Sequence, residues 1–342
     1  MIKFLIINFL CKVYFFISKI QIIKLKKKSI FITHNKSMGF GDSLTFMFLN
    51  YRKIKNNDIH IFNYINFTKD ISNFLFGEKR SLSLYPNIPL RIYYSFMDKY
   101  GDKFYEFSNF KKIKYDFDEW ETNKNLKYSF NRLIRVKLKR YKFDKSILPK
   151  KYICMNLKYF NESNRNFSTS TGHIRQVTNL RKFIEVFNFL KKKKISLIIT
   201  NNQNEKIYKI IKKMKKNNKL ENILFLNDFF KYPNFINQCH LAINSMGYLG
   251  SDSGPQVLYC LLNKKTVSID GYLEKPGYYR LYEFYTKNFK YRFIPNKIKI
   301  DNKIHELDLE TLKKLNKEKQ DYFLVGCSAK EIINVINYFL IK

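Results

Sequence analysis

From residue 151 onward the sequence alternates short apolar runs with stretches of helical periodicity, and few folds satisfy that pattern. "KYICMNL" (151–157), "ISLIIT" (195–200), "NILFL" (222–226), "GYLGS" (247–251) and "KTVSIDG" (265–271) read as buried strands. Between them stand amphipathic helical stretches. The first is "NLRKFIEVFNFLKKK", with Leu180, Phe183, Ile184, Phe187 and Leu190 on one face; "EKIYKIIKKMKK", "PNFINQCHLAIN" and "PQVLYCLLN" follow. Alternation at this spacing builds parallel β-α-β units, with helices on both faces of one sheet.

The first half gives the same signal more faintly. "KKSIFITHN" (27–35) and "DIHIFNY" (58–64) read as strands. A glycine loop, "KSMGFGDS", and the helical run "LTFMFLNYRKI" lie between them, and "FTKDISNFLFG" reads as a helix ended by Gly77. From 80 to 148 the pattern blurs into aromatic and basic stretches, with helical spacing clearest in "NRLIRVKLKRY". Pro149 and its lysines look like a linker. The fold class expected is α/β, with two Rossmann-like parallel-sheet domains. The expected parts are a basic aromatic segment (1–28), an N-terminal domain (29–148), a C-terminal domain (149–327) and a closing helix (328–342). In open parallel sheets, ligands bind at the carboxyl ends of the strands.

The amino terminus, "MIKFLIINFLCKVYFFISKIQIIKLKKK", has a membrane accent. Its longest charge-free run, Phe4 to Cys11, is far short of the roughly 20 residues a bilayer span needs. Lys12 in mid-bilayer would cost roughly 3 kcal/mol. Two arrangements fit: a helix lying in the membrane interface with Lys24, Lys26, Lys27 and Lys28 at anionic headgroups, or a first helix buried against the domain. No small-residue cleavage site follows the apolar stretch, which disfavours a signal peptide.

The formal charge of +36 would suit a nucleic-acid binder. However, only 11 of the 64 basic residues are Arg, and the lysines are spread along the whole chain. No helix-turn-helix, zinc-finger or RNA-recognition pattern is present, so specific nucleic-acid reading is not expected. Attraction to anionic membrane surfaces is. The five cysteines are scattered without a C-x-x-C, which suggests neither a disulfide framework nor a zinc site; Cys154 and Cys260 fall in apolar runs and read as core.

The chain has only 11 glycines, yet Gly247, Gly250, Gly254, Gly271 and Gly277 crowd into one stretch. Within it, Gly250-Ser251-Asp252-Ser253-Gly254-Pro255 lies between a strand and a helix that Pro255 is suited to begin. Backbone amides at such a helix start, with the positive end of the dipole behind them, accept a phosphate or diphosphate. The plainer alternative is a capped helix start, with Asp252 or Ser253 as the cap.

The run 248–271 resembles the donor-binding segment of GT-B glycosyltransferases. It is most like the heptosyltransferase-like group, of the ADP-heptose:lipopolysaccharide type, whose pattern is apolar strand, G-x-D-[ST]-G-P, helix, then a strand ending in glycine. The resemblance implies two Rossmann-like domains facing a central cleft. It also implies that Ser251, Asp252, Ser253, Gly254 and Gln256 bind the donor diphosphate. Gln256 and Val257 stand where that group usually has a His. "KSMGFGDS" is similar to the group's Ser-Met-Gly-Asp turn, widened by Phe40 and Gly41, which makes Asp42 the candidate catalytic base; its alternative role is a helix N-cap. The related loop "TGHIRQVTNLRKF" supplies Arg175 as the cation for the leaving phosphates. Gly39, Gly41, His173, Arg181 and Glu205 are further candidate contacts to donor or acceptor. Inverting transfer needs one carboxylate to take the acceptor proton as the anomeric carbon leaves diphosphate.

The expected activity is therefore transfer of a sugar from a nucleotide-diphosphate donor to a surface-glycan or lipid-linked acceptor. No cofactor or divalent metal is expected, and the expected place is the cytoplasm, peripheral on the inner membrane face. "DFDEWE" (116–121) contains an Asp-x-Asp that could hold a metal in the GT-A fold, but reads more simply as a solvated acidic turn. Two other classes remain open. One is a non-hydrolysing nucleotide-sugar 2-epimerase of the same fold, whose loop should continue Gly-x-Gln-Glu-Glu. The other is a non-enzymatic binder of polyanions or membrane surfaces.

Overall fold

The computed structural model describes residues 2–24, 30–33, 59–62, 66–77, 81–83, 126–159, 179–231, 233–251, 254–273 and 285–341, with positions 41, 44, 47, 51, 100, 177 and 275. The chain forms two units. The first comprises residues 1–123 with 234–236, and the second residues 124–233 with 237–342.

The first unit opens with helix α1 (Ile2–Lys24). Strands β1 (Ile30–Thr33), β2 (Ile59–Phe62) and β3 (Ser81–Ser83) form a parallel sheet in that order, Ile30 opposite Ile59 and His60 opposite Ser81. Helix α2 (Asn66–Phe76) crosses over between β2 and β3 and buries Ile71, Phe74 and Leu75. Gly77 ends it in the left-handed region (φ 92°), its N–H bonding back to the Asn73 carbonyl at 2.9 Å. Leu44, Met47 and Tyr51 are helical, as the run after the glycine loop predicts, and so is Gly41, which the sequence places in the loop. Leu44 and Met47 are buried, and Tyr51 stacks on Phe76 at 5.5 Å.

In the second unit six strands line up in parallel: β4 (Tyr152–Asn156), β5 (Ser196–Ile199), β6 (Ile223–Phe225), β7 (Gly247–Ser251), β8 (Lys265–Gly271) and β9 (Tyr291–Pro295). Their spatial order is β6-β5-β4-β7-β8-β9. The chain thus winds outward from β4 in one direction, returns, and winds outward from β7 in the other. That is the doubly wound order, in which right-handed crossovers put successive helices on opposite faces at the reversal.

Alternation along the strands sorts the core accordingly. One face carries Ile153, Met155, Leu197, Ile199, Leu249 and Val267, packed under α4 (Lys182–Lys192) and α5 (Lys206–Asn217). The other carries Tyr152, Cys154, Ile198 and Tyr248. On this second face lie α3 (Leu126–Leu138), α6 (Phe235–Asn244) and α7 (Gly254–Leu261). Tyr152 donates its hydroxyl to the Leu241 carbonyl of α6 at 2.8 Å, Tyr248 packs on Tyr259 of α7 at 4.7 Å, and Asn131 of α3 donates to Leu262 at 3.2 Å. Burial is complete enough to push the Cys154 thiol up to about 12. All five cysteines are buried, and none of them is in a disulfide.

The end of the chain holds elements that the sequence did not disclose. Strands β10 (Lys297–Ile300), β11 (Lys303–Glu306) and β12 (Phe323–Leu324) form an antiparallel sheet, with helix α8 (Leu309–Glu318) between the last two. Helix α9 (Ala329–Val335) then packs on α4; Ser328 and Glu331 close its start as a reciprocal capping box.

Candidate functional site

The reversal of winding falls between β4 and β7, the point at which the chains leaving neighbouring strands diverge and open α/β sheets take their ligands. Asn156, Leu157 and Lys158 lead out of β4 at this point, and Gly250 and Ser251 end β7 beside them, ahead of α7. The two strand ends are drawn together tightly. Gly250 lies opposite Asn156, and a Cβ on it would collide with the Asn156 carbonyl oxygen and the Tyr248 hydroxyl. A Cβ on Gly247 would likewise strike the Lys265 carbonyl on β8. Two of the clustered glycines are therefore spent on close strand approach.

Ser251 is fully buried, and its hydroxyl oxygen accepts from the Lys158 backbone N–H at 2.9 Å. That bond ties the loop leaving β4 to the end of β7. Asn201 does the same between β4 and β5: its amide accepts from the Leu157 N–H at 3.0 Å and donates to the Leu157 carbonyl at 2.9 Å. It also donates to Glu205 at 2.8 Å, whose other oxygen accepts from the Asn202 N–H at 2.9 Å. Glu205 thus secures the β5 turn just before α5. Its carboxylate is occupied within the protein, a role sequence spacing alone did not distinguish from ribose binding.

Gly254 begins α7, and Gln256 sits in its first turn with its side chain buried against the fold. Arg181 immediately precedes α4; its side chain is exposed, while its backbone N–H bonds to Asn179 at 3.0 Å. Gly41 is helical and buried. Gly39, Asp42, His173, Arg175, Asp252 and Ser253 lie outside the described residues. Among the described residues, the structure accordingly brings Ser251, Gly254 and Gln256 together at the end of β7, with Glu205 two strands away at the end of β5.

A second strand end carries a charged cluster that sequence reading missed. Asp270, fully buried near the end of β8, holds a left-handed backbone (φ 53°), which Asp tolerates better than most residues. Its Oδ2 meets Lys182 Nζ at 2.6 Å, and its Oδ1 accepts from the Cys327 N–H at 2.7 Å. Lys182, 7% exposed at the start of α4, also donates to the Cys327 carbonyl at 2.9 Å. Burial first, and then the Asp270 carboxylate, keeps the Cys327 thiol well above its ordinary pKa, so the sulfur stays protonated. The cluster clamps α4, β8 and the turn before α9.

No protein-family model matches the chain, and no curated protein has a similar sequence. Among solved structures, the chain is similar to ADP-heptose lipopolysaccharide heptosyltransferase II of E. coli. Identity there is 9%, with 91% of this chain and 98% of that one covered at a TM-score of 0.48. A family 9 glycosyl transferase of Veillonella parvula is similar at 10% identity, 92% and 98% coverage and a TM-score of 0.47. The UDP-GlcNAc 2-epimerase of Methanocaldococcus jannaschii gives 12% identity, 89% and 85% coverage and 0.28. These likenesses are loose.

Proposed function

We propose that the chain is a glycosyltransferase that takes a nucleotide-diphosphate sugar at the carboxyl ends of β4 and β7. The observation that carries the reading is the coincidence of two independent features. The Gly-Ser-Asp-Ser-Gly-Pro run, singled out by its resemblance to heptosyltransferase-like donor segments, begins on β7 at the point where strand order reverses and leads into α7. A diphosphate seated there would meet backbone N–H groups at the start of α7 and the positive end of its dipole.

In this reading Asp252, Ser253, Gly254 and the start of α7 hold the diphosphate, and Arg175 neutralises it as it leaves. Ser251 and Gln256, both buried, shape the turn. The bond from the anomeric carbon to the diphosphate oxygen breaks, and its electron pair leaves with the diphosphate. An acceptor hydroxyl bonds to that carbon, and its proton passes to a carboxylate, for which Asp42 is the candidate. The acceptor class is a surface glycan or a lipid-linked saccharide. The nucleotide sugar is a substrate, and the chemistry proposed calls on no further cofactor.

The test is calorimetric and thermal-shift binding of ADP, UDP, GDP and CDP at low and high salt, for the wild type, Asp252→Ala and Gly254→Val. One nucleotide bound in preference, retained in salt and lost in both variants, is the expected result. Equal binding of all four that vanishes with salt would reduce the run to a helix cap and overturn the reading, because purely electrostatic attraction fades as salt rises.

A further inference from the structure

Helix α1 is apolar almost all round, a composition suited to a helix enclosed by protein or by lipid. Among its described residues, protein encloses one side. Cys11 is 1% exposed, and Phe15, on the same side, stacks on the buried Tyr100 at 4.7 Å. The opposite side carries Leu5, Phe9, Val13, Phe16 and Ile20 at three- and four-residue spacing, with Ile17 beside them. Their exposure runs from 37% at Val13 to 66% at Phe9. A continuous row of large apolar side chains facing water is a surface awaiting a partner.

The charges say which partner. Lys12, exposed, and Lys19, half-buried, lie along one edge of the row. The sequence supplies Lys24, Lys26, Lys27 and Lys28 at its far end, and no Asp or Glu occurs before Asp42. The chain as a whole carries +36. A basic rim around an apolar helix face matches an anionic lipid surface, with acyl chains taking the aromatics and headgroups the lysines. Among the described residues no helix is long and apolar enough to cross a membrane, so the contact is one of lying on the surface. We infer that the outward face of α1, centred on Phe9 and Phe16, is a docking surface for an anionic lipid bilayer, while its Cys11–Phe15 face seats it on the first unit. The inference stands independently of the transferase reading. It also joins the two arrangements the sequence leaves open, since one helix both packs on its domain and meets lipid.

The experiment is co-sedimentation of the full chain with vesicles of phosphatidylcholine alone or mixed with phosphatidylglycerol, at low and high salt. The wild type is compared with the double variant Phe9→Ser/Phe16→Ser, whose charge is unchanged. The wild type should bind the mixed vesicles and keep part of that binding in high salt. The variant should lose on the order of a hundredfold in partitioning, given the apolar surface of two phenylalanines, with an unchanged thermal midpoint because both side chains are exposed. Phe9→Trp, which keeps the apolar bulk, should bind like the wild type and shift its emission to the blue on vesicles. Equal binding by wild type and double variant would make the attraction purely one of charge and overturn the proposal. So would a wild-type dimer, insensitive to vesicles, that the double variant dissolves; in that case a second copy covers the face. Nucleotide binding in solution should be the same in every variant.

Discussion

The ends of β7 and β8 are neighbours in one sheet, both bearing glycine, and they are finished in opposite ways. At β7 the closing contacts are neutral: the Ser251 hydroxyl to the Lys158 N–H, and Gly250 pressed against the Asn156 carbonyl. At β8 the closing contact is a buried ion pair, Lys182 with Asp270, reinforced from both partners by the Cys327 backbone. A neutral end that leads into a helix start leaves the positive dipole available to an incoming anion. A strand end that already holds its own carboxylate and ammonium has satisfied its charges internally. Proximity to the carboxyl edge thus does not make a site; what matters is whether the polar groups there are already spent.

The largest effect expected from breaking this contrast is at β8. Asp270→Ala removes the carboxylate, leaves a buried ammonium and the Cys327 N–H without their acceptor, and puts alanine at a positive φ. A loss of about 3–5 kcal/mol is expected in denaturant unfolding. The double variant Lys182→Met/Asp270→Asn should lose less than the sum of its single variants, because each single leaves a buried charge that the double does not. Additive losses would mean that the two groups are not coupled, and the clamp would be an accident of proximity.

At β7 the largest effect is steric. Gly250→Val would push a branched side chain into the Asn156 carbonyl and the Tyr248 hydroxyl, both held by the sheet. About 3 kcal/mol is the expected loss, with nucleotide binding impaired as the two strand ends separate. A variant of wild-type stability would show that β4 and β7 can part without cost, and the close approach of their ends would not be a fixed feature of the fold.

Much of this was legible in the sequence because it is local. Five of the six strands in the larger sheet follow from buried runs and amphipathic intervals, whereas β9 (Tyr291–Pro295) lies beyond every run that reads as a strand; Phe183, Phe187 and Leu190 of α4 are buried as their spacing predicts. The helix ended by Gly77 and the strand that closes on Gly271 fall where turn chemistry puts them. The Lys182–Asp270 pair was illegible for the opposite reason, as its members are 88 positions apart. A lysine in the first turn of a basic helix looks solvated until the fold brings a carboxylate to it. The antiparallel strands β10 to β12 were missed because the run 297–306 alternates isoleucine with lysine and histidine over only a few residues, too briefly to mark a strand pair. At the candidate site, the Asp-Ser-Gly-Pro run was visible as a motif. The occupied states of Ser251 and Glu205 were not, since hydrogen-bond partners on other strands leave no mark in the local sequence.

Ser251→Ala is the smallest effect expected and the most direct test of what the β7 end is for. The substitution deletes one acceptor and leaves the Lys158 N–H without it, which should cost about 1 kcal/mol in unfolding. If Ser251 serves as a brace, nucleotide affinity should fall only modestly, and less than in Gly254→Val. A steep loss of affinity at unchanged stability would reverse the assignment. The hydroxyl would then face the ligand during binding, exchanging its bond to Lys158 for one to phosphate, and the neutral end of β7 would be responsive where that of β8 is closed. Calorimetry on the two single variants beside urea unfolding separates these outcomes, because bracing reads out in stability and ligation in affinity.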